Sequence, residues 1–325
     1  MKGETSAKKG ETGQQRSRKR LIPVLVVLAL LIVFVLIVMV LNSRKPDRLT
    51  VEGIQPKLNG SCFVQTNKAL IGQMLDNWLP NDLFWPTVFL DNMPNFQIGE
   101  LEVARYNTRV LRDNLSRMRT TDKLDPDVDA AFTSLSNAPY KWWFPSAESK
   151  WKQAHAKLEA YHRNLESGQA NFYPRADNLV ELLTQYASLM GGVNTRLINA
   201  PGDIHKTLVL DETEKESSSQ IHMVDIDIPW YKIDDNFYYA QGVAYALYES
   251  FKAIRTDFME VLVDKNSLKL VDKILENLGR CDFEPLLVTN GDPDSIFANH
   301  SLNLSGVFND ARQKIDSLIV SLKQG

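Results

Sequence analysis

The sequence predicts a mainly α protein, with an N-terminal transmembrane helix followed by a helical exported domain holding at most a short β-hairpin. Three observations predict it. Residues 21–41 are an unbroken apolar run in which only Pro23 departs from lipid-soluble helix. Basic residues crowd the side before that run. Beyond it, apolar residues recur every three or four positions, the spacing of one helical face.

The run comes first. As a helix it rises roughly 31 Å, the thickness of a bilayer's hydrocarbon core. It holds Leu, Val and Ile with Ala29, Phe34 and Met39, and no charged or polar side chain, so it reads as a passive anchor. A cleaved signal peptide would have a shorter apolar region and a small-residue exit. This run leaves through Val40-Leu41-Asn42-Ser43 instead. Seven basic residues precede it (Lys2, Lys8, Lys9, Arg16, Arg18, Lys19, Arg20), and three follow closely (Arg44, Lys45, Arg48). That asymmetry predicts a cytoplasmic N-terminus and an exported C-terminal part. The organisation expected is a disordered basic tail over 1–20, a signal-anchor over 21–41 and a linker over 42–60. A helical domain follows over 61–325, with room for two subdomains that break near 200–235.

Charge narrows the partners. The whole chain carries −3; the tail contributes +5 and residues 42–48 contribute +2, which leaves −10 for the exported part. A domain so acidic is a poor nucleic-acid binder, because that binding relies on clustered Lys and Arg. The two cysteines, Cys62 and Cys281, both fall in it. An oxidising compartment permits a disulfide between them, and two buried thiols are the rival reading.

Helical periodicity marks segments near 66–79, 98–118 and 238–262, the last with Ala240, Val243, Leu247, Phe251, Ile254, Phe258 and Val261 on one stripe. Pro145 and Pro174 open two more, the second meeting a break at Gly191-Gly192. Ser267 can cap the next and Gly279 end it, and a last helix covers about 305–322. Segments 206–211 and 221–228 read as a hairpin. A faint echo aligns Gly99, Arg109, Leu111, Arg112 and Leu115 with Gly242, Lys252, Ile254, Arg255 and Phe258, at a constant offset of 143.

Catalytic signatures are sparse. The chain has no Gly-x-Ser-x-Gly, His-Glu-x-x-His, phosphate-loop or dinucleotide glycine pattern. His155, Glu159 and His162 share a helix face, but the two histidines are about 10.5 Å apart along its axis, too far for one metal ion. They read as a solvated face. Asp225 and Asp227 alternate on a strand-like segment and are the weak metal candidates, of the kind a metal-dependent, glycosyltransferase-like enzyme would use. No catalytic residue or cofactor is predicted.

The candidate interaction surface combines Trp142 and Trp143 with the arginine line Arg105, Arg109 and Arg112. Tryptophan and arginine are frequent interface anchors. Clustered tryptophans beside proline more often fill a junction between helices, and an arginine line in an acidic domain more often pairs with neighbouring carboxylates.

Four stretches add a resemblance: Trp78-Leu79-Pro80-Asn81-Asp82-Leu83-Phe84-Trp85-Pro86, Leu90-Asp91-Asn92-Met93-Pro94-Asn95-Phe96, Arg109–Arg117 and Trp142–Ser149. They are similar to a family of Gram-negative bacterial single-pass membrane proteins, designated domain of unknown function 2333. The resemblance implies an inner-membrane anchor at 21–41 and a periplasmic domain, and it supplies no activity. The expectation is therefore a non-enzymatic interaction or scaffold protein of the cell envelope, its partner a protein or a glycan.

Overall fold

The computed structural model describes residues 7–50, 60–83, 86–119, 121–198, 232–285, 288–289 and 298–324. Among these are ten α-helices and no strand. The fold is mainly α, as expected; the hairpin segments lie outside the described residues. The chain divides into two units, Met1–Lys45 with Leu83–Leu90, and Pro46–Asp82 with Asp91–Gly325.

The first unit is built on α1, Ala7–Asn42. Its segment Pro23–Asn42 has a mean hydropathy of 3.8 and is, among the described residues, the one helical stretch long and apolar enough to cross a membrane. A 3₁₀ turn, Thr87–Phe89, packs against α1.

The second unit holds nine helices. α2 is Ser61–Asp76. α3 is Asn92–Val110, started by the Asp91 carboxylate accepting from the Asn92 N–H, and it runs on through a π turn, Leu111–Leu115. α4 is Pro126–Leu135, capped by Asp125 with proline at its first position. It is ten residues long, under three turns, and lies outside the segments that helical periodicity marks. α5 is Ala147–Glu166, capped by Ser146. α6, Ala176–Ile198, runs straight through Gly191-Gly192. The expected break is absent; the Arg312 guanidinium of α10 lies alongside, 3.4 Å from where a Cβ on Gly191 would sit, and donates to the Ala187 carbonyl. α7 is Ile233–Asp257, α8 Met259–Asp264, α9 Leu268–Arg280 and α10 His300–Lys323. Ser267 precedes α9, but its hydroxyl turns to Lys265 O and Ser321 Oγ rather than capping.

The offset of 143 has a structural meaning. An ideal Cβ on Gly99 would meet Tyr239 O at 2.3 Å, and one on Gly242 would meet Phe96 O at 1.9 Å. Residues 96 and 239 differ by 143, as do 99 and 242, so the contact is reciprocal, the mark of a local twofold. Asn107 Nδ2 donates to Ser250 Oγ at 2.9 Å, again 143 apart. Helices α3 and α7 therefore run parallel, side by side and in register. The other helices follow suit: α2 packs on α5 as α6 packs on α10, and α4 packs on α5 as α9 packs on α10. Two halves, α2–α5 and α6–α10, share the central pair; the second half has the short α8 in addition.

Residues 46–50 are bound rather than free within the second unit. Tyr245 OH donates to Asp47 O at 2.6 Å and Lys252 Nζ to Leu49 O at 2.9 Å. The Arg48 guanidinium stacks 4.2 Å from the Tyr248 ring and pairs with Asp282.

Candidate functional site

The arginine line sits on α3 facing α4, and the structure separates its members by role. Arg105 donates to Leu135 O and Asn137 O, satisfying the carbonyls at the end of α4, and pairs with Glu102. Arg112 pairs with Asp113 and Asp129 and lies 3.9 Å from the Phe132 ring centroid. Arg109 is exposed and makes no ion pair among the described residues. With Glu102, Arg105, Tyr106, Phe132 and Ser136 it lines a cleft of about 270 Å³. One free guanidinium beside an acid suits a polar side chain better than a phosphate, which draws several cations together.

The tryptophans divide differently from the core expectation. Trp78 and Trp151 fill the helix junction, edge to face at 5.6 Å and both buried. Trp142, Trp143 and Phe144, on the link between α4 and α5, are 54, 64 and 87% exposed, and Tyr140 beside them is exposed too. The reason is that both feet of this link are pinned. Trp78 Nε1 donates to Pro139 O at 3.1 Å, Asn81 Nδ2 to Lys141 O at 3.2 Å, and Ala147 N to Lys141 O at 2.7 Å. With the feet so held, the next aromatics project, stacked on one another edge to face at 5.1 and 6.2 Å. No hydrogen bond or stacking contact among the described residues joins Trp142 and Trp143 to Arg105, Arg109 or Arg112.

One arrangement escaped sequence reasoning. Ser61 Oγ lies 2.7 Å from His162 Nε2, and His162 Nδ1 lies 3.9 Å from Glu166 Oε1. Serine, histidine and acid thus stand in the order of a nucleophilic triad. Ser61 and His162 are both buried, however, and desolvation lowers the His162 pKa. The backbone N–H groups at the start of α2, which would receive an oxyanion, face the Asp257 carboxylate instead, with Phe63 N donating at 2.7 Å. The cluster caps and packs α2. The face carrying His155, Glu159 and His162 is consequently not solvated as expected: α5 lies against α2, with Glu159 paired to Lys68.

Asp91, Asp234 and Asp235 bring carboxylate oxygens within 4.8 Å of one another. Asp91 and Asp234 differ by 143, so the parallel α3 and α7 start side by side, and the Asp91 cap of α3 meets the acidic first turn of α7. Each carboxylate sits where a helix N-terminus favours negative charge. Burial raises Asp235 to about 6, helped by the charge of Asp234. Asp225 and Asp227 lie outside the described residues. Cys62 and Cys281 are both free and buried, and desolvation pushes each thiol up to about 12.

The sequence profile of an uncharacterised protein family conserved in bacteria, domain of unknown function 2333, matches residues 15–325. The chain belongs to that family. No curated protein and no solved structure matches it. Membership brings no activity with it.

Proposed function

We propose that this family member is a single-pass, membrane-anchored interaction protein of the bacterial cell envelope, without enzymatic activity. Its N-terminus is cytoplasmic, α1 spans the inner membrane, and the helical domain lies in the periplasm, where the Tyr140–Phe144 surface holds an envelope protein or glycan. The observation that carries this reading is the projecting aromatic run, whose apolar area the fold leaves uncovered although Trp78 and Trp151 nearby are fully packed. The excess of basic residues before the apolar run supports the orientation. The closed state of the Ser61–His162 cluster supports a role other than acyl transfer.

In-cell photo-crosslinking from position 143, with position 109 as a second site, tests it. Capture of a discrete envelope protein or glycan from position 143 supports the proposal. Metal-dependent turnover by the purified protein that vanishes in Asp225→Ala and Asp227→Ala would overturn it. An alkaline phosphatase fused after Gly325 must be active for the orientation to stand.

A further inference from the structure

Two fixed feet flank the stretch that carries Leu83, Val88 and Phe89. Before it, the Gln97 side chain holds the chain by accepting from Leu79 N and donating to Asn77 O; after it, Asp91 starts α3. Between those feet Leu83, Val88 and Phe89 are exposed at 50, 46 and 66%. The segment's 3₁₀ turn packs on α1. On α1 the described side chains from Pro23 to Phe34 are all open, whereas Val35, Val38, Met39 and Asn42 are half-covered. Their spacing of three and four residues is one helical face. Val35 to Asn42 covers about 10 Å of rise, so the covered stripe is the C-terminal third of the span.

We propose that Leu83 and the Pro86–Leu90 turn form a second membrane attachment, seated in the bilayer leaflet at the C-terminal end of α1, with Leu83, Val88 and Phe89 at the headgroup–acyl boundary. The inference rests on the reading of α1 as a spanning helix. A bilayer whose core matches the Pro23–Asn42 span meets the loop at the depth where amphipathic elements bury their apolar side by about 5–10 Å. The backbone suits that depth. Phe89 N donates to Pro86 O and Leu90 N to Thr87 O, and Pro86 has no N–H to satisfy. A loop meant for water would leave three large apolar side chains uncovered within seven residues.

The test uses the full chain in phosphatidylethanolamine–phosphatidylglycerol vesicles, labelled with nitrobenzoxadiazole at Phe89→Cys, Ile32→Cys or Lys152→Cys. Cys62 and Cys281 are buried with raised thiol pKa values and stay unlabelled at neutral pH. The expected result is loss of fluorescence at position 89 to lipids spin-labelled near the headgroup. Position 32 should be quenched by lipids labelled deep in the chain, and position 152 by neither. If position 89 behaves like 152 while 32 is quenched, the loop attachment is wrong and the spanning helix stands. If 32 also escapes quenching, the spanning reading has failed and this inference with it.

Discussion

Replacing Gly242 by alanine tests the central pair directly. The added methyl would lie 1.9 Å from Phe96 O, 2.7 Å from Phe96 C and 3.0 Å from Phe96 Cα, all backbone atoms that cannot rotate away. Relieving the closest contact requires α3 and α7 to part by about 1 Å. A gap of that size forfeits a quarter to a half of the dispersion attraction across the seam. Overpacking of this kind costs about 3 kcal/mol, and the better helix propensity of alanine returns about 1. The net loss of about 2 kcal/mol should lower the melting temperature of the full chain in detergent by about 4–8 °C, read by circular dichroism. Gly306→Ala is the control: nothing lies within 4 Å of a Cβ there, it sits inside α10, and it should stabilise by about 0.5–1 kcal/mol. If the two variants melt alike, α3 and α7 do not touch through their glycines and the reciprocal contact is refuted.

Three further outcomes are expected. Asp257 is raised to about 6 from an ordinary 3.8 by burial, so the folded state holds an extra proton between those values. Its contribution therefore declines as pH climbs from about 4 to about 6 and is flat above, by at most about 3 kcal/mol. Asp257→Asn should remove that part of the slope, and an unchanged stability–pH curve would exclude it. Trp151→Ala should cost about 3–5 kcal/mol and Trp143→Ala less than about 0.5 in the same melts; equal losses would mean that Trp143 is packed. A fluorophosphonate probe should leave Ser61 unmodified in the folded protein, and a labelled Ser61 peptide by mass spectrometry would reopen the hydrolase reading.

How much was legible follows from which signals are local. The stripe on α7 and the apolar run on α1 are periodic over many residues, so the sequence showed both. Gly191-Gly192 misled because a helix held along its length by packing on α10, more than a hundred positions away, carries two glycines without breaking. Likewise nothing local reveals that His162 reaches Ser61 on α2, or that the Asp257 carboxylate accepts from the first turn of the same helix. The tryptophans misled for a packing reason. Trp142, Trp143 and Trp151 lie close in sequence, and Trp151 pairs with the distant Trp78 in the junction while the other two stay exposed, so composition could not tell which would be buried.

The local twofold separates what the fold needs from what it does not. It accounts for Gly99 and Gly242, for the bond between Asn107 and Ser250, and for the meeting of Asp91 with Asp234, none of which then calls for a ligand. The connections of the first half are another matter. The α2–α3 link carries exposed Leu83, Val88 and Phe89, and the α4–α5 link carries exposed Tyr140, Trp142, Trp143 and Phe144. Neither set fills the core that the two halves share. Polar residues in these positions would leave the helix contacts of the second unit intact and spare the chain exposed apolar area. Their apolar character is explained only by something outside the fold, so the variants that matter for function are those in these two links, which should leave the melting curve unmoved.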